Sequence, residues 1–191
     1  FLRLRYIKSD WERAQMRKAF ALADLAYDAM AAQVKPGNYE YQVAAAGEAA
    51  ARMQGASGFA FQTIVGSGPR SNAVVPTALD RRMESGELVM LGISPRYKGY
   101  SGAYTPAQEE CLKHMKEVMR LTRAMLVPGK CGKEIHAVGR AYFEKHGYLP
   151  YLVCPFAHTT GIMEAEAPFF GPNSIDVVEP GMTINVDVSF F

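Results

Sequence analysis

Pro and Gly stops recur along this chain at a fixed interval. Pro36 and Pro128, Gly37 and Gly129, Gly47 and Gly139, and Gly55 and Gly147 each lie 92 residues apart, and Gly86 and Gly181 lie 95 apart. Pro ends a helix because it lacks the N–H that the next turn needs, and Gly supplies the left-handed backbone at the stop. A shared spacing of stops implies a shared succession of elements, so one structural plan is used twice.

The elements between the stops follow that plan. Ser9 caps a first helix, with Glu12 three residues on, and Met16, Phe20, Leu22, Ala23, Tyr27 and Met30 recur at helical spacing. This helix is expected to end at Val34-Lys35-Pro36-Gly37, and a second to run from about 38 to 53. A strand over 59–65, a polar loop over 66–72, an opening strand over 88–91, a turn at 95–98 and a return strand over 99–104 complete the first half. The second half repeats the order: a helix capped at Thr105 and running to about 127, a helix over 133–146, a strand over 151–153 and a final strand over 182–188. In this register Gly92 corresponds to Asp187. The second half stops at Phe191 before any return strand, so the chain reads as C-terminally incomplete, by on the order of 25–40 residues. It is expected to form a single domain, 1–191, with half-repeats of about 9–104 and 105–191.

Composition bounds the function. The 191 residues are 49% hydrophobic and 21% charged with a net charge of +2, which fits a globular chain and gives no electrostatic pull toward nucleic acid or an anionic membrane. No apolar run is long enough to span a bilayer, and the N-terminus lacks the pattern of a signal peptide. Cys111, Cys131 and Cys154 form no even framework and no C-x-x-C, which points to a reducing, cytoplasmic setting, with Cys154 in an apolar run as a core residue.

Several segments, in order, resemble the pita-bread family of aminopeptidase P, prolidase, methionine aminopeptidase and creatinase. They are Val34-Lys35-Pro36-Gly37 followed by Glu40, residues 59–68, Gly86-Glu87-Leu88-Val89, Arg96-Tyr97-Lys98-Gly99-Tyr100, His158-Thr159-Thr160-Gly161-Ile162, Glu166-Ala167-Pro168 and Pro180-Gly181-Met182-Thr183-Ile184. The resemblance implies an α+β pita-bread fold, two pseudo-equivalent helix–helix–strand halves around a curved antiparallel sheet, here without the family's separate N-terminal domain. It also implies hydrolysis of a C–N bond in a small-molecule or dipeptide substrate, and a possible homodimer.

The family's peptidases hold two divalent metals on two Asp, one His and two Glu. Carried onto this sequence, the Asp positions are Gly92 and Ala103, the His is His158, and the first Glu is Asp187. A further substrate-side His falls near Thr77, and the His before the Glu-x-Pro is Ala165. Two adjacent divalent ions need several anionic ligands to offset their repulsion, and the opening hairpin supplies none. The expectation is therefore no resident cofactor, with His158 and Asp187 as weak metal candidates. A divalent ion such as Mn, Co or Zn enters by resemblance alone, as a single ion on His158, Asp187 and Glu164 or Glu166.

What remains can still do chemistry. His158 is expected in a loop mouth as general acid or base. Glu164 and Glu166, two apart, suit a cationic substrate group, and Asp187 shares a strand face with Asn185. Arg70 is a candidate for a substrate carboxylate and Tyr100 for the pocket wall. The catalytic set is thus His158, Glu166 and Asp187, with Glu164, Arg70 and Tyr100 binding substrate, as in a metal-independent, creatinase-like hydrolase. The alternatives are a catalytically degenerate ligand- or partner-binding member and an Xaa-Pro peptidase with an atypical metal site.

Overall fold

The computed structural model describes residues 5–73, 75–103, 109–152 and 156–188. These fall into two compact units, one of residues 11–103 with 162–164, the other of the remaining described residues.

In the first unit, α1 (Asp10–Gln33) buries Met16, Ala19, Leu22, Ala23, Ala26 and Met30, a stripe at i, i+3 and i+4 steps. Helix α2 (Glu40–Met53) buries Val43, Ala44, Gly47 and Ala51. Gly47 permits their close approach, because a Cβ there would stand 2.4 Å from Met30 Cγ. Both helices share a core with Val65, Met83, Leu91 and Ile93.

The strand expected over 59–65 is instead two strands in two sheets. Strand β1 (Gly58–Phe59) pairs with β4 (Pro95–Tyr97), and β2 (Ile64–Ser67) pairs antiparallel with β3 (Val89–Gly92). The opening hairpin is corrected in the same way. Among the described residues β3 pairs with β2 and with no return strand; the chain crosses to the other sheet, and Pro95 begins β4, a position where its missing N–H is tolerated. The turn lies at Lys98–Gly99, with φ of 47° and 88°, and β5 (Tyr100–Ser101) returns along β4. Two consecutive positive φ values are what a two-residue hairpin loop with right-handed strand twist requires. The expected end of the return strand at Tyr104 lies outside the described residues.

In the second unit, α3 (Glu109–Met125) and α4 (Gly132–Lys145) precede β6 (Ala157–Thr159), β7 (Glu166–Phe169) and β8 (Ile184–Val186), which form one antiparallel sheet in the order β7-β6-β8. Val118, Phe143, Phe156 and Val188 make one buried cluster, and Ile135, Ala157, Phe170 and Val178 another. The helix cap at Thr105, Val153 and Cys154 lie outside the described residues, and 149–151 is a 3-10 turn rather than the start of a strand.

Backbone hydrogen bonds repeat at the sequence offsets. Gly37 N–H donates to Met83 O and Met83 N–H to Asn38 O; 92 and 95 residues on, Gly129 donates to Val178 O and Val178 to Lys130 O. Glu40 to Arg81 O and Tyr41 to Leu79 O recur as Gly132 to Asp176 O and Lys133 to Ser174 O. The strands keep the same register. Val65, Gly66 and Ser67 face Leu91, Met90 and Val89, as Ala157, His158 and Thr159 face Val186, Asn185 and Ile184. His158 is therefore the counterpart of Gly66, and Asp187, whose N–H bonds Phe156 O, the counterpart of Gly92, which faces Ile64.

Candidate active site around His158 and Asp187

His158 lies on β6, the middle strand of its sheet, and not in a loop as the sequence suggests. The strand is short and is read poorly from periodicity, yet it is paired on both edges. The ring is buried and packs 5.8 Å from Phe169. Its Nδ1 lies 2.9 Å from the carbonyl of Thr159. A carbonyl only accepts, so Nδ1 carries a proton, and Nε2 is left as the nitrogen that exchanges one.

Nε2 lies 2.7 Å from Asp187 Oδ2, a hydrogen bond on an ion pair. Asp187 follows β8, and its second oxygen accepts from Asn185 Nδ2 at 2.8 Å, as their shared face predicts. The Thr159 hydroxyl lies 2.9 Å from Glu166 O and 2.7 Å from Ala167 O, tying β6 to β7 where their register shifts. His158, Thr159, Asn185 and Asp187 thus form one connected polar cluster.

The other candidates have partners of their own. Glu166, buried at the start of β7, pairs with the guanidinium of Arg5. A buried carboxylate needs such a partner; the cation that the sequence expects from a substrate is here supplied by the chain. Glu164 is half-buried in the turn before β7 and is grouped with residues 11–103. Arg70 does not stand free for a substrate carboxylate: its guanidinium pairs with Glu40 and donates to Thr77 O at 2.6 Å. Tyr100 donates to Glu12 Oε1 at 2.9 Å and meets the edge of Trp11.

The hub at Glu40 was not anticipated. Its fully buried carboxylate accepts from Ser67 N–H and hydroxyl, at 2.8 and 2.7 Å, from Leu79 N–H at 3.1 Å and from Arg70. Burial pushes its pKa up, but the Ser67 bonds, with those from Leu79 and Arg70, outweigh it and hold the carboxyl below its ordinary value. The signal was present: Glu40 sits on the α2 face of Val43, Ala44 and Gly47, where an acidic residue must be paired. Arg5 and Thr159 left no comparable signal.

A helix pair and antiparallel strands used twice, with a buried His158 paired to a half-exposed Asp187 at the sheet of the second unit, define a duplicated α+β protein. Residues 14–191 match the model of metallopeptidase family M24. The chain is 33% identical over 198 residues to the uncharacterized peptidase YqhT of Bacillus subtilis, covering 99% of this chain and 56% of that one. It is 29% identical to the Xaa-Pro dipeptidase of Pyrococcus furiosus, covering 98% and 57%. The solved prolidase of Pyrococcus horikoshii superposes with a TM-score of 0.87 at 29% identity, covering 100% of this chain and 57% of that one. The chain belongs to metallopeptidase family M24 and has its α+β, pita-bread fold. It spans a little over half the length of these relatives.

The family name implies metal, and the side chains decide the fit. Gly92 and Ala103 carry no donor where the resemblance places two aspartates. His158 Nε2 and Asp187 Oδ2, at 2.7 Å, are closer than the roughly 3 Å that two ligands with bonds of about 2.0–2.1 Å keep around one ion. A proton fits between them. This donor set does not fit a dinuclear centre.

Proposed function

We propose that the chain is a hydrolase cleaving a C–N bond in a small substrate, a dipeptide or similar small amide, without a dinuclear metal centre. The observation that carries this reading is the His158–Asp187 pair, with Nδ1 locked on a backbone carbonyl. In the reaction, Nε2–H is the acid and the Asp187 carboxylate bonded to it the base. Water attacks the carbonyl or guanidino carbon while Asp187 takes its proton. The C–N bond breaks as Nε2 gives its proton to the leaving nitrogen, and the proton on Asp187 then restores Nε2–H. Glu166 is the carboxylate proposed to receive a substrate amine, once Arg5 yields it. The proposal extends to a single catalytic domain, a cytoplasmic setting suggested by the free Cys131 thiol, and a homodimer suggested by the family resemblance.

The engagement of Arg70, Tyr100 and Glu166 by the chain's own groups favours a second reading, a catalytically degenerate member that binds a ligand or partner. Turnover of Xaa-Pro dipeptides, small amides and guanidino acids by the full chain and by His158→Ala separates the two. Turnover abolished in the variant supports the hydrolase; turnover equal in both removes His158 as the acid–base. No turnover in either, with retained ligand binding, supports the second reading.

A further inference from the structure

A second histidine cluster lies outside the His158–Asp187 pair, where α3 packs on the end of α4. His114 on α3 and His146, which caps α4, have ring centres 5.2 Å apart. One residue holds both rings. Tyr142 O is 2.8 Å from His146 Nδ1, and Tyr142 Oη is 3.0 Å from His114 Nδ1. Tyr142 also stacks on His146, with centres 4.1 Å apart, and Tyr148 lies 4.7 Å from His114.

The tautomers follow from the partners. The carbonyl can only accept, so His146 Nδ1 is protonated and Nε2 holds a lone pair. The Tyr142 hydroxyl can accept the Nδ1 proton of His114 in the same way. Neither Nε2 has a hydrogen-bond partner among the described residues. An imidazole whose far nitrogen donates to a carbonyl or hydroxyl is oriented as metal-binding histidines are. Two imidazoles on one tetrahedral ion, with metal–nitrogen bonds of about 2.0–2.1 Å, have ring centres roughly 5 Å apart, the separation found here. His146 is exposed and His114 half-buried, so water can complete the shell.

We propose that His114 and His146 form a two-histidine site for a late first-row divalent cation, of the zinc, nickel or copper class that imidazole prefers. Tyr142 is its positioning residue. The ion joins α3 to α4.

The test is calorimetric titration of the full chain, stripped by chelation, with zinc chloride. One zinc per chain is expected, kept in His158→Ala and weakened about tenfold or more in both His114→Gln and His146→Gln. Far-UV circular dichroism checks that each variant is folded, and His146→Gln, at an exposed position, guards against loss of fold in the other. Absence of zinc binding overturns the proposal. So does binding unchanged in either histidine variant, or binding lost only in His158→Ala.

Discussion

Asn185 Nδ2 donates to Asp187 Oδ1 over 2.8 Å, while the other oxygen of the same carboxylate faces His158 Nε2 over 2.7 Å. Asp187 is therefore held from both sides, by an amide that fixes it and by the ring it serves. Asn185→Ala removes the first restraint and leaves the ion pair free to rotate. Turnover is expected to fall about 10- to 100-fold through misplacement, with little change in Tm. Steady-state kinetics beside a thermal melt check this, and a wild-type rate in Asn185→Ala contradicts it.

Glu40 makes stability depend on pH. Its carboxyl is held below the ordinary value in the fold, so its contribution is fully present above the unfolded pKa of about 4.3 and is lost as pH falls through the folded one. Glu40→Ala strands Arg70 and the Ser67 donors. It is expected to cost about 3–5 kcal/mol at pH 7 and less at pH 3, below the unfolded pKa. Urea denaturation at the two pH values reads the difference.

The pair Arg5–Glu166 is expected to be cooperative. Arg5→Ala takes a paired cation from a buried carboxylate and is expected to cost about 3 kcal/mol, whereas adding Glu166→Gln recovers part of that loss. A double-mutant cycle in Tm and denaturation midpoint measures the coupling; additive losses argue against it.

Glycines at close contacts differ in what they meet. A Cβ on Gly102 would lie 2.5 Å from backbone atoms of Ala19 and Phe20, which cannot move aside. At Gly139 it would lie 2.7–3.0 Å from the buried Phe156 ring, and at Gly47 it would meet the flexible side chain of Met30. Substitution by Ala is expected to destabilise in the order Gly102, Gly139, Gly47, with Gly139→Ala costing about 1–3 kcal/mol. Thermal melts of the three variants test the order.

The sequence disclosed the repeat because Pro36, Gly37, Pro128 and Gly129 are required by backbone geometry, and geometry leaves its mark on residue type. The first helix followed from apolar spacing, and the other three from their caps and their Pro and Gly stops. The strands were less legible: β6 and β7 are three and four residues long and contain His158 and Pro168, too little for a period of two to show. Periodicity within 59–65 could not show that the chain changes sheets between Phe59 and Ile64. The face shared by Asn185 and Asp187 was readable from alternation alone. The partners of Arg70, Tyr100 and Glu166 were not, since each contact joins residues at least 30 positions apart.

The central claim is that chemistry here rests on His158 and Asp187 without a dinuclear centre. Its most direct test is the rate of cleavage of the panel substrates by the full chain before and after exhaustive chelation, with metal counted in the same samples. The account predicts a rate that chelation does not change and fewer than two ions per chain. Two ions per chain, with activity lost on chelation and restored by manganese, cobalt or zinc, would contradict it.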